Sequence, residues 1–156
     1  MNIDSENSSQ TTPPLTRAVR VLISGARSFG IFADEIENIV DWRTPTPLPN
    51  APAGILGVVC VRGRMLTLVD SSSLLETGAK TNGKIVTLFG DEQVGLAVEQ
   101  AGALVDAGLA ELQSSNGNDA LTLGEILVAG QSIPILNSKQ LFATAMRGRE
   151  RRKRQF

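Results

Sequence analysis

The chain has no histidine, no tyrosine, a single cysteine (Cys60) and a single tryptophan (Trp42) among 156 residues. Without histidine it lacks the usual proton shuttle at neutral pH and the commonest metal ligand. It also cannot pass a phosphoryl group through a histidine of its own. One cysteine excludes an intrachain disulfide and fits a reducing cytoplasm. With no base-type residue beside it, Cys60 reads as a small buried strand residue rather than a nucleophile. No apolar run approaches the roughly 18 residues that span a membrane. The opening "MNIDSENSSQTTPP" lacks the apolar stretch of a signal peptide. No Walker-type phosphate loop is present, and "SGARSFG" (Ser24–Gly30) does not match Gly-x-Gly-x-x-Gly. Catalysis, cofactors and metal ions are therefore not expected.

What is present is a chain that can build a core. Apolar residues make up 42% of it, and its 15 basic and 16 acidic side chains nearly balance. That balance hides an asymmetry. Thr16–Phe142 holds 9 basic and 13 acidic residues, a net of −4, whereas Ala143–Phe156 holds 6 basic and 1 acidic, a net of +5. Residues 1–15 are polar and read as a disordered tail. Residues 16–142 read as the folded part and 143–156, with "RGRERRKR", as a basic tail. That tail reads as a solubilising end or as a binder of acidic headgroups or nucleic acid.

Short β-branched runs dominate from Thr16 on. "AVRVLIS" places Val19, Val21 and Ile23 on one face. "SFGIFA" follows after a Gly-containing turn. In "DEIENIVD" (Asp34–Asp41) the spacing predicts one helical turn leading into a strand. Four prolines in "TPTPLPNAP" (Thr44–Pro52) demand an extended loop. "ILGVVCV" and "MLTLVD" read as strands around an Arg-Gly turn. Further strands are expected at Ile85–Phe89, Gln93–Val98, Leu104–Val105, Glu125–Val128 and Ile133–Leu136. Leu109–Thr122 reads as a long polar loop. Asp70 and Asn137 are expected to cap short helices at Ser71–Glu76 and Ser138–Arg147.

The chain repeats itself. Ile23–Asp41 aligns with Leu88–Asp106 at an offset of 65, matching Gly25 to Gly90, Gly30 to Gly95 and Ile39 to Leu104. Val58–Leu75 aligns with Glu125–Phe142 at an offset of 67, matching Val61 to Val128 and Gly63 to Gly130. Two ungapped blocks at nearly one offset argue for a duplicated unit. A mostly β unit of this size closes best as a small barrel, which hides its strand edges. The expectation is two barrels packed together, each about half the chain, as interleaved subdomains with repeat blocks at 23–75 and 88–142. The first turn reads "VRGR" and its counterpart "VAGQ". Glycine serves both, because a tight hairpin needs positive φ. The arginines serve only one.

"LPNAPAGILGVVCVRGRMLTLVDSSSLL" closely resembles the central motif of the CheW family, and "SFGIFADEIENIV" resembles that family's first hairpin. The resemblance spans about residues 16–142. It implies an all-β fold of two pseudo-symmetric SH3-like five-stranded β-barrels with short helices, one at the C-terminus. It also implies a cytoplasmic, non-catalytic adaptor, recruited to membrane-anchored arrays. There it would join the cytoplasmic tips of methyl-accepting chemoreceptors to the regulatory domain of a CheA-type histidine kinase, with weak self-association and no nucleic acid. The same resemblance admits a non-chemotaxis pathway, such as pilus motility. It places a partner-contacting arginine at Arg62, beside Gly63 and Arg64. Ile36, Asn38, Ile39 and Val40, with Val98 and Leu104 in the second half, are the remaining candidate contact residues. The apolar ones read either as core or as a strip that receives a helix. Two positions depart from the family pattern: Cys60-Val61 stands before Arg-Gly where Asn-Leu is common, and Asn38 stands where the family often has an acid.

Overall fold

The computed structural model describes residues 15–78, 81–90, 93–108 and 120–154. Ten strands follow in order: β1 (Thr16–Ser24), β2 (Arg27–Phe32), β3 (Ile36–Asp41), β4 (Ile55–Val61), β5 (Arg64–Asp70), β6 (Lys84–Leu88), β7 (Val94–Val98), β8 (Gln100–Gly108), β9 (Thr122–Val128) and β10 (Gln131–Leu136). Two α-helices join them, α1 (Ser71–Leu75) and α2 (Leu141–Arg154). A 3-10 turn at Ala33–Glu35 leads into β3, as the spacing predicts. The polar N-terminal tail and most of the loop expected before Thr122 lie outside the described residues.

The strands form two five-stranded sheets, ordered β8-β1-β2-β10-β9 and β3-β6-β7-β5-β4. The repeat maps one order onto the other strand for strand. The sequence units are nevertheless not the sheets. β1 and β2 leave the first unit to pair with β8–β10, and β6 and β7 leave the second to pair with β3–β5. Each sheet thus draws on both halves of the chain. Neither sheet pairs its two outer strands with each other among the described residues.

Packing follows the same symmetry. One cluster lies within the first sheet (Val19, Phe32, Ile126, Ile133, Ile135) and its counterpart within the second (Val59, Leu66, Leu68, Ala97). Between the sheets lies a third, shared cluster that includes Leu22, Phe29, Ile31, Val86, Leu96 and Val98. β2 and β7 are buried on both faces, so their sequences are almost wholly apolar or small. The matched glycines serve this layer: a Cβ on Gly30 would sit 2.5 Å from Val19 Cγ1, and one on Gly95 3.3 Å from Ile85 Cγ2.

β1 serves two clusters by simple alternation. Leu22 points into the shared cluster, while Val19 and Val21 on the other face stay in the first sheet's own, and the extra residue of the register shift opposite Arg20–Leu22 lies in β8. Ile23, expected beside them, is only half-buried. Asp70 caps α1 by accepting from the Ser72 backbone N–H at 3.0 Å, and Asn137 accepts from the Lys139 N–H at 3.1 Å. The closing helix does not stop at Arg147. Its backbone continues through Arg154, so most of the basic segment is helical rather than a separate tail.

Candidate functional site

The turn that closes β4 and β5 has φ of 51° at Arg62 and 80° at Gly63. Ala129 and Gly130 in the matching turn of β9 and β10 have the same values. Both are two-residue turns with positive φ at both central positions, which gives the twist that adjacent antiparallel strands need. Glycine accepts that backbone without penalty. An arginine or alanine in it costs about 1 kcal/mol. Arg62 is therefore held on a strained, rigid tip. Its side chain is exposed and makes no hydrogen bond or ion pair with a described residue.

Arg64 is different. Its guanidinium Nη1 donates to Glu37 Oε1 of β3, forming an ion pair between two half-buried side chains. This bridge ties the hairpin to the outer strand of the same sheet. Glu37, Asn38, Val61, Arg62, Arg64, Leu66 and Thr87 line one small hollow of about 70 Å³. Of the sequence candidates, the structure thus gathers Arg62, Arg64 and Asn38, with Gly63 shaping the turn. Glu37 was missed, because nothing in one sequence says which acid meets which arginine across 27 positions.

The apolar candidates separate. Ile36 and Ile39 are half-buried against the shared cluster, and Val40 faces the second sheet's own cluster instead. A register shift between Ile36 and Asn38 keeps Ile36 and Ile39 on one face, opposite Leu88 and Val86. Leu104 is 54% exposed on β8. Val98 corrects the expectation of a contact residue: it is 0% exposed, because β7 is a central strand covered on both sides, and it can touch no partner. Cys60 corrects another expectation. It points outward and is exposed, opposite the equally exposed Met65, because alternation in β4 sends Val59 and Val61 inward. These two side chains flank Arg62 and extend the accessible tip.

A second ionic clasp holds the entry to β3. Arg17 donates to Asp34 at 2.7 Å and to Glu35 at 3.3 Å. Its guanidinium carbon stands 3.7 Å from the Phe32 ring centroid, which adds a cation–π contact. The hydrogen bond from Arg17 holds the Asp34 carboxyl below its usual range, and the same bond raises Arg17. Lys84 likewise lowers Asp41 through a hydrogen bond at 2.6 Å. The described residues contain no group of His, Cys, Asp or Glu arranged to hold a metal ion. No described helix is long and apolar enough to cross a membrane.

The site as a whole is two pseudo-symmetric sheets with an exposed arginine on the positive-φ turn of one of them. The CheW-like domain family matches residues 18–146, most of the chain. This chain belongs to the CheW-like domain family, whose members are non-catalytic adaptors. It is 27% identical over 145 residues to the chemotaxis protein CheW of Rhizobium meliloti (strain 1021), covering 85% of this chain and 94% of that one. Its fold is similar to the crystal structure of the scaffolding protein TtCheW from Thermoanaerobacter tengcongensis. The TM-score is 0.74 at 16% identity, over 82% of this chain and 93% of that one.

Proposed function

We propose that this chain is a cytoplasmic coupling adaptor of chemotaxis. It joins the cytoplasmic tips of chemoreceptors to the CheW-like regulatory domain of a CheA-type histidine kinase, in arrays at the membrane. The observation that carries the reading is the Arg62 tip: a free guanidinium on a strained turn whose symmetric counterpart has only Ala129. Arginine suits such a place, since its planar fork can bind carboxylates or carbonyls bidentately. In this reading Gly63 sets the turn, Arg64 with Glu37 fixes it to β3, and Asn38 lines the same hollow. Ile36, Ile39 and Leu104 would be the apolar residues that receive a receptor's helical hairpin, with Val40 supporting β3 from within. Each sheet is taken as the open form of a five-stranded SH3-like barrel. The reading of the whole chain as a nucleic-acid or membrane-surface binder is not favoured, because the family match spans residues 18–146. A pilus-type pathway would use the same surfaces with another receptor.

The test is a titration of the purified chain against the regulatory domain of the kinase from the same cell. Saturable binding is expected, weakened at least about tenfold, or about 1.4 kcal/mol, by Arg62→Glu. Ala129→Glu, the same change on the matching turn, should leave it intact. Unchanged binding by a folded Arg62→Glu chain would move the tip's role to the receptor, and no binding by the unmutated chain would remove the kinase as partner.

A further inference from the structure

The two sheets differ in how their outer strand is finished. In a two-residue hairpin the pairs alternate between hydrogen-bonded and non-bonded, starting bonded at the turn. On β4 this leaves the N–H and C=O of Val58 and Cys60 pointing away from β5. The chain covers them itself. The Thr46 N–H donates to Val58 O and the Val58 N–H to Thr46 O, both at 2.8 Å, and Arg43 Nη1 donates to Cys60 O at 2.8 Å. The cover sits so close that a Cβ on Gly57 would come within 2.2 Å of Thr46 O.

The matching positions on β9 are Glu125 and Leu127. They too face non-bonded partners, Pro134 and Ser132, and Pro134 could not donate in any case. Their N–H and C=O groups therefore point outward, and no described residue covers them. Beside them, between β8 and β9, lies a groove of about 490 Å³. Val105, Asp106, Glu125, Leu127 and Val128 line it. Leu127 is 76% exposed, and both carboxylates are exposed. Where the second sheet meets Arg43 and Thr46, the first presents the Asp106 carboxylate, the Glu125 carboxylate, which accepts from Ser132 Oγ at 2.7 Å, and the Leu127 side chain.

We propose that β9 is a docking edge for an extended, arginine-bearing segment of a partner protein, which adds as an antiparallel strand along Glu125–Leu127. The backbone of the segment would bond the outward groups of Glu125 and Leu127, as Thr46 bonds Val58. Its arginine would meet Asp106 and Glu125, a charge-assisted contact. The occupant is argued from charge complementarity and from the chain's own cover of the matching edge. The sequence that precedes β9 supplies no basic residue to match those acids. Residues 109–121 carry no Lys, Arg or Pro, and they add Glu111 and Asp119. The proposal does not rest on the kinase contact at Arg62, because the two surfaces lie on different sheets, and Arg62→Glu should leave it untouched.

The probe is the chain's own covering segment as a labelled synthetic peptide, residues 41–50 (DWRTPTPLPN), titrated against the full chain. Saturable binding is expected. The pair Asp106→Lys with Glu125→Lys should weaken it at least about tenfold, and so should Arg43→Glu in the peptide. Leu127→Pro should abolish it, since proline removes one outward N–H yet is tolerated on an edge strand. Amide exchange gives a reading that needs no variant. In the free chain the Glu125 and Leu127 amides should exchange much faster than those of Ile126 and Val128, and the peptide should slow them. Slow exchange at Glu125 and Leu127 in the free chain would overturn the proposal, since the edge would then be covered by the chain itself. Peptide binding that ignores the charge reversals, or no binding, would also overturn it.

Discussion

The β4–β5 hairpin and the β9–β10 hairpin share a backbone and differ in nearly everything they present. Their turns have the same φ values, and their inward residues fall position for position into matching clusters. Outward, one shows Cys60, Arg62 and Met65 beside a covered edge, and the other Leu127, Ala129 and Ser132 beside an edge that no described residue covers. Backbone and core chemistry are thus common to both copies, while outward side chains answer to whatever each sheet meets. An arginine that the turn does not need, on a copy whose partner turn lacks it, therefore points to recognition rather than folding.

That comparison can be broken first in the core. Leu68 and Ile135 are matched and both fully buried. Leu68→Ala and Ile135→Ala should each destabilise by about 2–5 kcal/mol in denaturant unfolding. A gap between them beyond about 3 kcal/mol would exceed the ordinary site-to-site spread and show that the sheets are not energetic equivalents.

The turns give a smaller and more selective effect. Arg62→Gly and Ala129→Gly remove the positive-φ penalty, and each should raise stability by up to about 1 kcal/mol, less the entropy that glycine adds to the unfolded chain. Similar gains at both sites would assign the strain to the shared backbone. A gain at Ala129 with a loss at Arg62 would mean that Arg62 has a folded-state partner.

The ionic clasps sharpen the contrast further. Asp34 and Asp41 both titrate below their usual values, lowered first by hydrogen bonds from Arg17 and Lys84. A carboxyl with a depressed folded pKa adds stability above its unfolded value of roughly 3.9, and that gain is lost as pH falls through the folded value. Unfolding midpoints followed from about pH 5 down to about pH 2 should therefore decline. Arg17→Gln and Lys84→Gln should each flatten part of that decline, and high salt should do the same for both. A decline untouched by either change would place the acid sensitivity elsewhere.

Much of this was legible beforehand, for identifiable reasons. The strands announced themselves through short β-branched runs, and β4 was bounded correctly at both ends because Gly54 and the Arg-Gly turn frame it. Asp70 and Asn137 were readable as caps because capping is local. The candidate site was legible where a difference between copies exposed it, as at Arg62. It was not legible at Val98, where an apolar strand residue looks the same whether it is core or contact. Nor was it legible at Glu37, whose arginine lies far along the chain, or at Cys60, whose direction depends on the register of β4.

By itself the sequence determined the β class, the duplication, the capped helices and the positive-φ turns, since each rests on interactions among neighbours or on periodicity within one element. Only the tertiary structure decided that β1 and β2 cross to the second unit's strands, that Arg64 rather than Arg62 pairs with Glu37, and that Arg43 and Thr46 cover the edge of β4. Those outcomes depend on contacts between residues tens of positions apart. Strand pairing and side-chain pairing at that range are chosen by packing of the whole chain, and no local pattern carries the choice.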